Sequence, residues 1–187
     1  MALDALLASP YISKVVVVLA PGMQTEIEAI GATGRVLLAE GGETRQASVR
    51  NALKRIEQGE GIKPDFIVIH DAARCLVSSA LIERCILAAF EWQAVTAAVP
   101  IIDTVNRCSQ EGILTEAIQR DGLVAIQTPQ VFSFDLLWKA HQQGDAGATD
   151  DASLVSKLAP VRVVPGDRSN IKITYPEDLQ EAHRLRS

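Results

Sequence analysis

Asp65-Phe-Ile-Val-Ile-His-Asp-Ala-Ala-Arg74 decides how this chain folds. Its first half is a short, unbroken apolar run, the pattern of a strand covered on both faces, and it breaks off into an acid, two alanines and an arginine. The pattern recurs upstream as Lys14-Val-Val-Val-Val-Leu-Ala20, which stops at Pro21-Gly22, and as Arg35-Val-Leu-Leu-Ala39. Downstream it returns as Ala94-Val-Thr-Ala-Ala-Val99. Between these runs, Ser48 to Ile56 sets Val49, Ala52, Leu53 and Ile56 at helical spacing, and Leu81 to Phe90 does the same with Leu81, Ile82, Cys85, Ile86 and Ala89. Strands alternating with amphipathic helices predict right-handed βαβ crossovers in an α/β fold, a doubly wound, mostly parallel, Rossmann-like sheet.

The rhythm changes after Pro100. Asp103-Thr-Val-Asn-Arg-Cys108 and Ile113-Leu-Thr-Glu-Ala-Ile118 flank Ser109-Gln-Glu-Gly112, two strand patterns joined by a short glycine-containing loop. The segment from about 100 to 120 is therefore a β-hairpin inserted into the α/β domain. From pattern alone it either projects as an arm or folds back as a minor sheet. Two helices follow, Phe134 to Gln143 and Asp150 to Leu158, then a strand at Val161-Arg-Val-Val164, a second at Asn170-Ile-Lys-Ile-Thr174, and a closing helix from Pro176. Proline suits a first helical turn, and Glu177 and Asp178 suit its positive dipole end.

A length of 187 residues fits one domain, 1–187. A net charge of −5 argues against nucleic-acid partners, which need a basic face. Cys75, Cys85 and Cys108 are an odd number with no C-x-x-C pair, so reduced thiols in the cytoplasm are expected rather than a disulfide frame or zinc ribbon. The longest apolar run, Val15 to Pro21, is far short of the roughly 20 residues of a membrane helix, and the start lacks a signal-peptide pattern; no membrane partner is expected.

In open α/β sheets, ligands sit beyond the carboxyl ends of strands. Gly41-Gly-Glu-Thr-Arg-Gln-Ala-Ser48 lies there. Its glycines allow close backbone approach, and its helix-start N–H groups suit nucleotide oxygens; alternatively it is a plain turn capped by Thr44 or Ser48. His70-Asp-Ala-Ala-Arg74 lies there too. Asp71 could bind a metal or a substrate hydroxyl and Arg74 a phosphate, or the two form a turn pair. A third, dispersed set comprises Arg120 and Asp121, Thr128-Pro-Gln130, Thr149-Asp-Asp151 and Lys172. Lys172 faces opposite to Ile171 and Ile173 and heads either into a cleft or into water. No G-x-S-x-G, Walker or G-x-G-x-x-G motif occurs, and the histidines lack ligand spacing, so covalent catalysis and hydride transfer are disfavoured.

Taken in order, GGETRQAS (41–48), IVIHDAAR (67–74), Asp103-Thr104, QTPQVF (127–132), TDDAS (149–153) and NIKITYPEDL (170–179) resemble the successive blocks of the methylerythritol phosphate cytidylyltransferases. The resemblance runs from about Leu3 to the end. It implies an isoprenoid-precursor enzyme that joins CTP to a polyol phosphate, releases pyrophosphate and uses Mg²⁺. By the same resemblance, Gly42 and Ser48 contact the cytidine nucleotide, Asp71 and Arg74 line the sugar-phosphate site, and Thr104 and Thr128 are further substrate positions. Arg120 and Lys172 are the catalytic cations that position the methylerythritol phosphate, and no protein metal ligand is implied. The arm reaches across a homodimer, so that Thr104 and Arg120 serve the partner's site. Two departures stand out. Cys75 occupies a place where the family commonly has proline. The family's first strand, its A-A-G-x-G-x-R-M-G loop and its P-K-Q segment have no counterpart, which implies slow turnover or none for this chain. The alternatives are a ribitol phosphate cytidylyltransferase and a non-catalytic oligomeric remnant.

Overall fold

The computed structural model describes residues 1–23, 34–59, 63–144 and 148–186. Helix α1 (Ala2–Ala8) leads into β1 (Val15–Leu19), which pairs in parallel with β2 (Val36–Glu40), Val15 opposite Val36. The crossover helix α2 (Arg45–Glu57) starts three residues ahead of the stripe that predicts it, because the Thr44 side chain accepts the Ala47 N–H and caps it. Strand β3 (Phe66–Ile69) is followed by α3 (Ser79–Trp92), capped by Ser78 through the Leu81 N–H and closed by Gln93 at φ 59°. Then come β4 (Ala94–Pro100), the hairpin strands β5 (Val105–Cys108) and β6 (Leu114–Ile118), and the long β7 (Val124–Ser133). Helices α4 (Phe134–Gln143) and α5 (Asp151–Val155), strand β8 (Arg162–Pro165) and helix α6 (Pro176–Arg186) complete the chain.

Among the described residues the strands form three sheets: β1-β2, β3-β7-β4-β8 and β5-β6. In the larger sheet β4 and β8 are parallel, and β7 runs antiparallel to both β3 and β4. Strands β3, β4 and β8 therefore share one direction, with β7 reversed between them. The apolar residues of these strands alternate between two cores, as the period-two geometry of a strand requires. Val95, Ala97 and Val131 pack with Leu81, Ile82, Cys85 and Ile86 of α3; Ala94 and Phe132 pack with Leu53, Leu137 and Val155 from α2, α4 and α5. Helices thus cover both faces, which is the doubly wound, Rossmann-like arrangement expected.

Three local expectations change. Asn170 to Thr174 is no strand: it is an extended segment held by the Ile173 N–H on the Ala73 carbonyl and by Arg74 on the Asn170 carbonyl, without a ladder partner. The helix expected to reach Leu158 stops at Val155, where the chain turns and the Leu158 N–H returns to the Val155 carbonyl. Strand β7 was not anticipated at all. The expected hairpin forms, with Val105 paired to Ile118, and its strands bond to no strand of the other two sheets.

Candidate active site

The end of β3 and the middle of β7 lie side by side, Ile69 opposite Gln130, so the residues just past β3 meet the Gln127-Thr-Pro-Gln130 stretch. There the Asp71 N–H donates to Thr128 Oγ1 at 3.0 Å, and Thr128 Oγ1 lies 3.1 Å from His70 Nδ1. His70 Nε2 stands 3.0 Å from the Arg74 carbonyl, an acceptor, so Nε2 carries the proton and Nδ1 accepts from Thr128. Burial pulls the His70 imidazole below its ordinary value, with the Arg74 carbonyl opposing, and the neutral ring fits that donor order.

Asp71 points its carboxylate at two cations. Lys172 Nζ lies 3.1 Å from Oδ2 and Arg45 Nε 3.3 Å from Oδ1. Burial pushes the Asp71 carboxyl up, but the Lys172 hydrogen bond and the Arg45 charge together outweigh it and leave the group below its ordinary range. Arg45 also reaches Asp151 Oδ2 at 2.7 Å, and Asp151 Oδ1 is 2.8 Å from His141 Nε2. Burial opposes the Arg45 charge, and the two carboxylates, Asp151 first, raise it above its ordinary value. Arg74 donates from Nη1 to the Asn170 carbonyl at 2.9 Å, and burial lowers it against the pull of Asp71.

Lys172 reaches the site because its segment is tied to β7. The buried Asn170 side chain donates to the Thr128 carbonyl at 2.8 Å, and Gln127 donates from Nε2 to the Asp167 carbonyl at 3.0 Å. Gly166 packs so closely here that a Cβ would meet Gln127 Oε1 at 2.5 Å. The result is a cleft of about 240 Å³ whose lining includes Arg45, Asp71, Arg74, Thr128, Asp150 and Lys172. Five segments far apart in sequence converge on it.

Gly42 and Ser48 flank Arg45 in sequence but do not themselves line that cleft. The Gly42 N–H donates to Ser48 Oγ, and Ser48 Oγ donates to the Thr44 carbonyl, both at 3.0 Å. A Cβ on Gly42 would meet that of Ala47 at 2.4 Å, so the tight turn requires glycine. Thr104 and Arg120 are not brought into the cleft of their own chain. Both are exposed at the arm, where Arg120 Nη1 donates to the Ile102 carbonyl.

Sequence reasoning included Gln130 and Asp151 in its dispersed set without giving either a role, and gave none to Arg45, Gln127, His141 or Asn170. Arg45 carried a signal: a cation in the first turn of a helix opposes the dipole and so needs a partner elsewhere.

The family model described as 2-C-methyl-D-erythritol 4-phosphate cytidylyltransferase matches residues 1–185. The chain belongs to that family. It is 40% identical to the cytidylyltransferase of Pelotomaculum thermopropionicum over 98% of this chain and 79% of that protein. The enzyme of Parasynechococcus marenigrum is 39% identical, over 98% and 82%. Among solved structures, a 4-diphosphocytidyl-2C-methyl-D-erythritol synthase superposes with a TM-score of 0.87 at 33% identity, covering 99% of this chain and 88% of that one. The cytidylyltransferase of Thermus thermophilus superposes with a TM-score of 0.83 at 32% identity, covering 98% and 86%. The fold is therefore that of the cytidylyltransferases, arm included in the matched length.

Proposed function

We infer that this chain performs the reaction of its family, joining CTP to 2-C-methyl-D-erythritol 4-phosphate with release of pyrophosphate, in isoprenoid precursor synthesis. The observation that carries the assignment of the site is the convergence of Lys172, Asp71 and Arg74 on one cleft, with Lys172 3.1 Å from Asp71. In the reaction an oxygen of the substrate phosphate attacks the α-phosphorus of CTP, and the bond to the β-phosphate bridging oxygen breaks, its electrons leaving with pyrophosphate. Two anions must approach one another. Catalysis is then mainly positioning and charge stabilisation, which fixed cations supply.

In this reading Asp71, kept ionised by its low pKa, holds Lys172 in the cleft until the substrate phosphate shares it. Arg74 is already anchored on the Asn170 carbonyl and offers the rest of its fork to the sugar phosphate. Thr128 fixes the Asp71 backbone and faces the same space. Gly42 and Ser48 form the floor for the cytidine nucleotide beside Arg45.

Arg120 and Thr104 act in the cleft of a second copy. This is supported by the lining of their own cleft, which includes neither, and by an arm that exposes Ile102, Ile113 and Leu114 to solvent. A homodimer is the implied state, each copy one nucleotidyltransferase domain with its arm. The residues present fit a Mg²⁺ carried on the nucleotide: Asp71 and Asp150 offer hard oxygen donors in the cleft, and magnesium is commonly held by one or two carboxylates plus substrate phosphates. When bound, it supplies charge neutralisation at the triphosphate. The three free thiols support a reducing, cytoplasmic setting. The methylerythritol phosphate enzymes compared above do not favour a ribitol phosphate substrate, nor a non-catalytic remnant.

Calorimetric titration with methylerythritol phosphate, alongside pyrophosphate release that requires both substrates, tests the reading. Lys172→Ala should weaken binding about tenfold to a hundredfold, the worth of one charged hydrogen bond. Unchanged affinity and unchanged release would remove Lys172 from the site.

A further inference from the structure

Arg45 divides its fork between two carboxylates: Nε faces Asp71 Oδ1 at 3.3 Å and Nη1 faces Asp151 Oδ2 at 2.7 Å. The carboxylates are divided as well. Asp71 Oδ2 lies 3.1 Å from Lys172 Nζ, and Asp151 Oδ1 accepts from His141 Nε2 at 2.8 Å. An arginine facing a carboxylate frequently takes both of its oxygens in a parallel fork. Here Arg45 does so with neither acid, and an oxygen of Asp71 remains for Lys172.

Asp151 is the fixed member of this set. Its side chain has no exposed surface, and it opens α5, where the helix dipole favours a carboxylate. Both of its chain neighbours are tied to the buried Gln130 of β7: Gln130 Nε2 donates to Asp150 Oδ2 at 2.6 Å, and the Ala152 N–H donates to Gln130 Oε1 at 3.0 Å. His141, in the last turn of α4, closes the other side; a carboxylate only accepts, so Nε2 carries the proton. Lys172, by contrast, is 46% exposed, and water competes for it.

We propose that Asp151, oriented by His141, is a positioning residue for Lys172: it holds Arg45 in the divided geometry that leaves Asp71 Oδ2 to the lysine. Its role in the reaction rests on the reading of Lys172 as the cation that meets the substrate phosphate. With the Asp151 charge gone, the whole fork of Arg45 is free to close on Asp71. Two cations then face one carboxylate, and the exposed lysine, which regains water on leaving, is the one displaced. With His141 gone instead, the buried Asp151 carboxylate lacks its donor on Oδ1 and draws the fork of Arg45 onto both oxygens, away from Asp71. Lys172 then stays. The two losses act in opposite directions on the two cations, although His141 and Asp151 are partners.

The test is NMR of the full chain labelled with ¹⁵N and ¹³C, following the Lys172 ammonium and the Arg45 Nε–H and their couplings across hydrogen bonds to the Asp71 carboxylate carbon. Asp151→Asn should move Lys172 to the position of solvated lysines while Arg45 keeps Asp71, and R45M/D151N, which also removes the competitor, should restore the Lys172 bond. His141→Leu should do the reverse, releasing Arg45 Nε from Asp71 and sparing Lys172; His141→Gln, whose amide still donates to Asp151, should leave both in place. If Asp151→Asn does not fold, the two His141 variants carry the test. Calorimetry with methylerythritol phosphate supplies the functional arm: Asp151→Asn should weaken binding about tenfold, with no further loss once Lys172→Ala is present. A Lys172 signal unchanged in Asp151→Asn, the same response to Asp151→Asn and His141→Leu, or an equal loss of affinity with and without Lys172 would overturn the proposal. No binding of methylerythritol phosphate by the unaltered chain would sink the functional reading instead; the Lys172 and Arg45 responses decide the role of Asp151 independently of it.

Discussion

Replacing Arg45 by methionine tests the ion chain at the cation that joins its two carboxylates. The exchange keeps much of the side-chain volume and removes the charge between two acids. Asp151 has no exposed side-chain surface and Asp71 has 17%, so neither recovers full hydration when Arg45 goes. Removing one partner of a buried pair typically costs about 3–5 kcal/mol. Three features lower that figure here. Arg45 is itself 33% exposed, Asp151 keeps His141, and Asp71 keeps Lys172. Relief of an unfavourable cation at the helix start returns about 0.3–1 kcal/mol. The expected loss is about 2–3 kcal/mol, roughly a 30-fold to 160-fold change in the unfolding equilibrium. Urea unfolding at neutral pH reads it as a lower midpoint with an unchanged slope. In an Asp151→Asn background the same exchange should cost at least about 1 kcal/mol less, since the charge it strands is gone. A loss below about 0.5 kcal/mol, the range of an exposed pair, or an equal loss in both backgrounds, would refute the account.

Gly42→Ala should cost about 1–3 kcal/mol, because the added carbon meets Ala47 Cβ at 2.4 Å and the first turn of α2 must shift; thermal unfolding measures the stability and CTP titration the accompanying loss of affinity. His70 gives a pH dependence. Its folded pKa lies below its ordinary 6.5, so the unfolded chain takes up the proton first, and stability present above 6.5 is lost as pH falls from there toward the folded value. His70→Gln should flatten that limb in urea midpoints collected across the range, and an unchanged limb would assign the dependence to other groups. Leu114→Asp, at a side chain 69% exposed on the arm, should shift sedimentation from dimer to monomer and lower turnover; a variant that stays dimeric would place the contact elsewhere.

The two-faced core was legible because buried strands and amphipathic helices announce themselves by period, and Phe134–Gln143 matches the expected helix at both ends. Strand β7 hid for a physical reason. Its first three residues are exposed and its buried half contains Gln127-Thr-Pro-Gln130, polar groups and a proline that argue against an interior strand. Those polar side chains belong there because they bond to Asp150, Asp167 and Asn170, partners no local pattern reveals. Asn170 to Thr174 failed in the opposite direction. It alternates like a strand, and Lys172 does face away from its neighbours into the cleft, yet its backbone is held by Ala73 and Arg74 instead of a ladder. Asp71, Arg74 and Lys172 were readable as candidates from position and charge. Arg45 was readable only through its conflict with the helix dipole, and the His141–Asp151 pair, ten residues apart on two helices, left no trace in the pattern.

The reversed strand at the centre of the larger sheet also bears on how the protein is made. Strands β3 and β4 bond to β7 and not to each other, and the whole hairpin is synthesised between β4 and β7. From the moment Pro100 is added until Ser133 is, a ribosome working at about 5–20 residues per second takes roughly two to seven seconds. Throughout that interval the nascent chain carries two apolar strands with open edges and a crossover helix already available to cover one face. The wait is built into the order of the strands, and it marks the stretch of translation in which this chain most needs the shelter of the exit tunnel or a chaperone.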